Sequence, residues 1–484
     1  MNRLMPIAAA AAALCVPAAH AAGSNFSNFT PMTSSVGAGT LPEAAPFKFG
    51  NSAWTQLSIA DRTTQLAAGQ FNSGNWDMID TNRTGPDAGR YLFTVFETGQ
   101  AGVQRTDLKT GVTITQWASP ATAPNLNSHV AFDASRWTPW GTYLTAEESW
   151  GNQPQPYGRL FELKNPITAP ASGTNFMHQN VIARVSHEGL AFDSAKSLYF
   201  IDELNGGSIY KYVSANPNAA TGDAYFDKGQ TFVLKVGAGG QFEGNNGPAI
   251  TGAASWVAIT SATGTPTADT FSALSNLGGG SFAMDGRAAA DLVGGTGYNR
   301  PEDLEIQDAS GTQRLYFATT DSDTNANTGD GRSRVYFLDL GTNEVRLFAD
   351  ASTLDLHTGL AVGGGLRNAD NLAIDAKGNI YIIEDRDGGV DNDIWFARDL
   401  NQDGDLLDAG EGIGRWASNG VAGSENTGLY FDKFDPNKAY VNIQHPASGV
   451  DRLVEISAVP EPQTYAMMLA GLMGIGFVAR RRKG

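Results

Sequence analysis

The chain has 484 residues, of which 41% are hydrophobic and 57 are glycine. So apolar a sequence is not a disordered one, and it is long enough to bury a large core. Its formal charge of −17 repels polyanions, which excludes nucleic acid as an expected partner and favours cations.

In chain order, Met1-Asn-Arg3, an alanine-rich apolar run and Ala19-His-Ala21 predict a secretory signal peptide over residues 1–21. Cys15 is the only cysteine and lies inside it, so the exported chain is expected to hold no disulfide and no thiolate ligand. Residues 22–76 are rich in Ser, Asn, Gly and Ala. They read as an N-terminal extension with a strand that helps to close the ring described next.

From Asp77 onward a strand–turn–strand phrase returns about every 55 to 65 residues, with one longer gap. First strands read Val130-Ala-Phe-Asp133, Gly189-Leu-Ala-Phe-Asp193, Asp303-Leu-Glu-Ile-Gln-Asp308, Asn371-Leu-Ala-Ile-Asp375 and Gly428-Leu-Tyr-Phe-Asp432. Second strands include Ser197-Leu-Tyr-Phe-Ile-Asp202, Arg314-Leu-Tyr-Phe-Ala-Thr319 and Asn379-Ile-Tyr-Ile-Ile383, and a third strand usually follows. A looser copy runs from Asp77 to Thr106 and brings the total to six. An all-strand repeat of this length predicts an all-β fold, a six-bladed β-propeller over residues 77–458. A long inter-blade insertion is expected over about 215–300, where it would cover the channel mouth.

Acidic and amide residues precede the first strands or end the second ones: Glu147-Glu148, His187-Glu188, Arg300-Pro-Glu302-Asp303, Asp370-Asn371 and Glu425-Asn426. Since first strands line a propeller's channel, these groups should meet at one rim. Carboxylates brought together there repel one another unless cations sit among them. Such oxygen ligands suit Ca²⁺, and with histidine also iron. His187 and His445 are candidates for a ligand or acid–base role, and Arg300, Arg367 and Arg386 for gripping an anion. Elsewhere Asp399-Leu-Asn401-Gln-Asp403-Gly404 reads as the first half of a calcium loop, with Asp399, Asn401 and Asp403 as ligands. Weaker candidates are Asp321 to Asn327 and Glu384 to Gly388. No Gly-x-Ser-x-Gly elbow and no phosphate-cradling Gly-x-x-x-x-Gly-Lys occurs.

The C-terminal segment 459–484 holds Pro460-Glu-Pro462, an apolar run to Ala479 and Arg480-Arg-Arg-Lys483. It resembles the PEP-CTERM sorting signal, which implies a transient membrane anchor, processing by an exosortase, and a final place at the cell surface or outside it, where extracellular polysaccharide is a candidate partner. Thr138-Pro-Trp-Gly-Thr-Tyr-Leu-Thr-Ala-Glu-Glu148, His187-Glu-Gly-Leu-Ala-Phe-Asp193, Arg300-Pro-Glu-Asp303, Asp370-Asn-Leu-Ala-Ile-Asp375 and Val441-Asn-Ile-Gln-His-Pro446 together resemble the PhoX-type alkaline phosphatases. The resemblance implies a secreted, metal-dependent phosphomonoesterase with an iron pair and calcium ions at the channel and a phosphate ester as substrate. It makes Glu148, Glu188 and Glu302 the leading metal ligands and catalytic residues alongside Arg300. Glu147, Asp303, Asp370 and Asn371 come next. The family pattern places a cysteine iron ligand in an Asn-Cys-x-Gly-Gly stretch, where this chain has Phe132-Asp-Ala-Ser-Arg-Trp137; a second familiar cysteine is Ala146. Two further readings are a non-catalytic calcium-stabilised propeller of the extracellular matrix and a calcium-dependent lactonase-like hydrolase.

Overall fold

The computed structural model of the chain describes residues 30–120, 128–148, 157–168, 175–244, 247–267, 284–309, 311–320, 333–386 and 391–459. The predicted signal peptide, the segment 460–484 and the Asp321 to Asn327 loop lie outside them.

The second strands show how sequence becomes sheet packing. In Leu198–Ile201, Leu198 and Phe200 join the apolar cluster on one side of the sheet, while Tyr199 and Ile201 join the cluster on the other. Thr312–Thr319 does the same, sending Leu315 and Phe317 one way and Tyr316 and Ala318 the other. Successive residues of a strand face opposite ways, so a strand covered on both faces is apolar at nearly every position. That is the physical origin of the repeated Leu-Tyr-Phe phrase.

The fold is an all-β propeller built from five antiparallel sheets. The first contains Trp76–Thr81, Tyr91–Phe96, Gly102–Asp107 and Val112–Ala118. Phe132–Trp137, Tyr143–Glu147, Leu160–Leu163 and Phe176–His178 form the second. A nine-stranded sheet follows, running from Leu190–Phe192 through Leu198–Ile201, Ile209–Ser214, Gly229–Val236 and Gly252–Ala258. It continues through Glu344–Ala349, Arg334–Asp339 and Thr312–Thr319 to Pro301–Ala309. Ala369–Ile374, Ile380–Glu384, Asn392–Arg398 and Gly412–Asn419 form the fourth, with Phe47–Phe49 on its outer edge. The fifth is Glu425–Phe431, Lys438–Gln444, Arg452–Ala458 and Trp54–Asp61.

The strands Trp76–Thr81, Phe132–Trp137, Leu190–Phe192, Pro301–Ala309, Ala369–Ile374 and Glu425–Phe431 pack side by side in that cyclic order, and the last contacts the first. They wall the channel. Trp54–Asp61 pairs with Arg452–Ala458 as the outermost strand of the last sheet, so the N-terminal segment completes the sheet that the C-terminal strands begin. The outermost strands were not legible as a class. Val112–Ala118 reads Val-Thr-Ile-Thr-Gln-Trp-Ala and leaves its first positions exposed or half-exposed, so its hydrophobic signal is weak. The 215–300 insertion differs from expectation in part, because Gly229–Val236 and Gly252–Ala258 are strands of the nine-stranded sheet. Helix Gly286–Val293, capped by Asp285, follows them. Among the described residues no helix is long and apolar enough to cross a membrane.

Candidate metal centre at the channel rim

One backbone device repeats around the rim. A residue one or two positions past the second strand donates its N–H to a carbonyl just ahead of the channel strand. The pairs are Glu97 to Asn75 (2.9 Å), Glu148 to Ala131 (2.8 Å), Glu203 to Ser186 (2.9 Å), Thr320 to Arg300 (2.9 Å) and Asp385 to Asn368 (3.0 Å). Two residues after each of these acceptors stands a carboxylate: Asp77, Asp133, Glu188, Glu302 and Asp370. In four of the five, all but Thr320, the donor is itself an acid, so the device brings an acid from beyond the second strand and one from the channel strand to the same rim.

The channel strands are also irregular where they carry these acids. Register shifts fall between Trp76 and Ile79, Phe132 and Ala134, Pro301 and Leu304, and Ala369 and Leu372. A bulge of this kind turns a side chain out of the ladder and toward the axis. Asn75, Ala131, Arg300 and Asn368 take positive φ of 44°, 43°, 45° and 45°. For Ala131 and Arg300 that is strained backbone, held by the surrounding pairing. Gly428 lets its strand press against Met78 and Ile79 of the neighbouring one, where a Cβ would approach a backbone nitrogen to 2.8 Å.

Two trios of carboxylates result. Asp133, Glu188 and Glu203 bring oxygens within 4.8 Å of one another, and so do Glu188, Glu302 and Asp370. Glu188 belongs to both, and all five are buried. Asn371 donates from Nδ2 to Glu188 Oε1 (3.2 Å) and accepts from Gly428 N (2.6 Å), which fixes the shared carboxylate. Arg300 reaches Glu203 (2.7 Å) and Glu302 (3.3 Å) from Nη2. Across the channel Gln444 donates from Nε2 to Asp77 (2.8 Å) and Glu97 (2.9 Å), and His445 Nε2 lies 2.7 Å from Glu425.

Burial is the first cause of the resulting pKa shifts, and like charge the second. Asp133 is held well above the usual range by desolvation and then by Asp77, and Glu188 by desolvation and then by Asp370 and Glu302. Desolvation raises Glu302 to about 8 even though Arg300 opposes it. Glu148, Asp370 and Glu425 rise for the same leading reason. Such a set is costly as anions and comfortable only when protonated or when cations share it.

The donor set fits a hard cation. Asp133 Oδ1, Glu188 Oε2, Glu203 Oε2 and Asp385 Oδ1 are buried atoms that meet no hydrogen-bond donor among the described residues. A buried acceptor without a donor is the expected state of an oxygen reserved for a metal. No cysteine occurs among the described residues.

Of the sequence-predicted residues, Glu188, Glu302 and Asp370 come together, with Asn371 and Arg300 bonded to them. Glu148 is half-buried beside Glu203, Glu97 and Asp133. Glu147 is placed elsewhere. Its oxygens bond Arg159 Nε (2.9 Å) and Nη2 (2.7 Å), a buried pair between strands of the second sheet. Arg159→Met leaves that carboxylate buried with no cation and only the backbone N–H groups of Val130 and Arg159 as donors, with an expected cost of about 3–5 kcal/mol in urea unfolding. Asp303 spends its oxygens on Leu304 N (2.7 Å) and Leu372 N (3.1 Å), joining adjacent channel strands. His187 packs at a tilt against Phe200 in the core, and burial lowers it to about 3, so it is a neutral core residue. Asp399, Asn401 and Asp403 sit in a separate loop, where Asp399 accepts from Gly404 N (2.9 Å) and Asn401 donates to Asp403 (3.0 Å) and Asp408 (2.8 Å). Arg367 bonds the Gly364 carbonyl and Arg386 lies 3.7 Å from Asp391.

Sequence reading missed Asp133 and Glu203 as members of these groups, and Asp77 and Glu97 as further acids of the rim. The signal was present in the residue that ends each second strand. Asp133 was missed because the repeat was phased with Phe132-Asp133 at the end of its strand, whereas the strand begins there.

A propeller whose channel rim gathers buried carboxylates into groups able to hold metal ions defines the class of protein. Within that class, the chain belongs to the family described as alkaline phosphatase PhoX, whose sequence profile matches residues 134–447. A PEP-CTERM protein-sorting motif matches residues 458–483. No curated protein matches the chain. Solved structures with a similar fold include a Bacteroides thetaiotaomicron protein of unknown function, at 11% identity and TM-score 0.38, covering 84% of this chain and 76% of that one. Others are the β-propeller domain of Myceliophteria thermophila Cps50 (Swd1), at 11% identity and TM-score 0.36 over 81% and 99% of the two chains, and a luciferin-regenerating enzyme, at 10% identity and TM-score 0.39 over 80% and 93%.

Proposed function

We propose that the protein is an exported phosphomonoesterase whose activity requires divalent cations at the channel rim. The observation that carries this reading is the pair of carboxylate trios sharing Glu188, inside a chain of the PhoX family. Glu188, Glu302 and Asp370 would hold one ion, and Asp133, Glu188 and Glu203 another. Bound cations would neutralise the ester's phosphoryl oxygens and the charge growing on the leaving oxygen. The chain's own residues do the rest. Asn371 orients Glu188, Glu203 holds the Arg300 guanidinium at the rim, and Arg300 is the cation with the planar fork that matches phosphoryl oxygens.

Calcium suits this centre better than iron. Asp133 stands second in the stretch that fills the place of Asn-Cys-x-Gly-Gly, so an oxygen replaces the soft sulfur that the family pattern supplies there. The Asp399, Asn401 and Asp403 loop is a second, structural calcium site in this reading. Six blades are the best account of the architecture. The nine-stranded sheet is joined only through Gly252↔Val345 and Ala253↔Glu344 at its middle, and the channel is walled by six strands in cyclic contact. Export by a signal peptide over residues 1–21, exosortase processing at 459–484 and a final location at the cell surface complete the proposal. The polysaccharide there is a candidate neighbour.

The test is release of phosphate from an aryl phosphate, with elemental analysis of the same sample. Turnover that a chelator abolishes and Ca²⁺ restores, with calcium and no iron in the protein, is the expected result. Calcium-dependent stability without turnover would favour the non-catalytic matrix propeller, and turnover of a lactone instead would favour the lactonase-like reading.

A further inference from the structure

The carboxylates occupy the leading ends of the channel strands, and the trailing ends frame a different chemistry. A cavity of about 350 Å³ opens there, lined by Arg136, Phe192, Glu305, Ile306, Ile374 and Lys433 among others. Arg136 and Glu305 lie three positions beyond Asp133 and Glu302 in the same strands, which is about 10 Å at the rise of a strand. The cavity is therefore the far mouth of the channel.

Three cations from different sheets meet in its wall: Arg83, Arg136 and Lys433. Arg83 Nη2 is held by Asp80 (2.6 Å) and Arg136 Nη2 by Glu305 (2.8 Å). These ion pairs fix each guanidinium by one nitrogen. In both, Nε is buried and has no hydrogen-bond partner among the described residues, and Arg136 is only 5% exposed. A buried guanidinium N–H left unpaired is costly, and an acceptor in the cavity would satisfy it. Lys433 donates to the Ile374 carbonyl (3.1 Å). Although the residue is exposed, its ammonium titrates below the ordinary lysine range, through desolvation first and the charge of Arg83 next. Glu305 and, at the lip, Asp308 are the acids in the lining, while Phe192, Ile306 and Ile374 give it an apolar side.

We propose that this mouth is a second ligand site, separate from the acidic rim, for a small organic anion. Its carboxylate or phosphoryl group is received by Arg83, Arg136 and Lys433, and its apolar body lies on Phe192, Ile306 and Ile374. Charged groups that converge on a partly apolar cavity are the usual makings of such a site. The inference is independent of any chemistry at the rim.

Isothermal titration with phenylphosphonate tests it, on the calcium-loaded protein and on Glu188→Gln, in which binding of the same anion at the rim is weakened. A binding event is expected to persist in Glu188→Gln and to weaken at least tenfold when Arg83→Gln or Lys433→Glu is added. Lys433 is exposed, so its substitution reads binding without threatening the fold. The proposal is overturned if Glu188→Gln binds no phenylphosphonate, which would put the anion on the rim alone, or if neither added substitution weakens the binding that remains.

Discussion

Replacing Glu188 by Gln is expected to lower aryl phosphate turnover by about 10²–10³-fold, the scale on which loss of one group that stabilises a transition state is felt. Glu188 is the only residue common to both carboxylate trios, so neutralising it weakens two ion sites together. The same substitution should raise the thermal stability of the metal-free protein. Glu188 is buried among Asp370, Glu302 and Asp133, whose charges oppose its own. Removing one repelling anion relieves the others. A purely structural glutamate would behave in the opposite way, because its loss would lower stability with or without calcium. Activity assays and melting curves on the same variant, with and without calcium, separate the two roles.

The second large effect is on the pH dependence of stability. Desolvation lifts Glu302 from the ordinary value of 4.5 to about 8, and Asp303 from 3.8 to about 7. Between those limits the folded, metal-free protein binds more protons than the unfolded chain. Its stability is then full at acid pH and falls as pH rises from about 4.5 through about 8. Calcium reverses the slope, because binding needs the carboxylates ionised and releases their protons. At a thousandfold excess over Kd it adds about 4 kcal/mol per site. Melting temperatures measured from pH 5 to pH 8.5 should fall in chelator and hold or rise in calcium. Parallel curves under the two conditions would show that the shifted carboxylates do not take up the ion.

How much of this was legible in the sequence follows from the periods involved. Channel and second strands are covered on both faces, so Leu198-Tyr-Phe-Ile201 and Leu315-Tyr-Phe-Ala318 stand out as apolar runs. Outer strands such as Val112–Ala118 are partly exposed and do not. Within the insertion Thr231-Phe-Val-Leu-Lys-Val236 reads as strand-like and lies in the strand Gly229–Val236, whereas Gly252–Ala258 is hidden in a stretch whose glycines, alanines and threonines read as loop. At the site, Glu188, Glu302 and Asp370 were found because they open their strands at matching positions. Glu97 and Glu203 were not, although they stand just past their second strands as Glu148 does, because that position was compared with its counterparts in one blade only. Glu147 shows the converse limit. It adjoins Glu148, yet successive strand residues point opposite ways, and Glu147 turns away to Arg159.

The most direct test is a crystal structure of the protein soaked with Mn²⁺, read by anomalous scattering. The account predicts peaks in contact with Glu188, one shared with Asp133 and Glu203, the other with Glu302 and Asp370. A fully occupied crystal with no manganese against Glu188, and that carboxylate bonded instead to water or to protein donors alone, would contradict it.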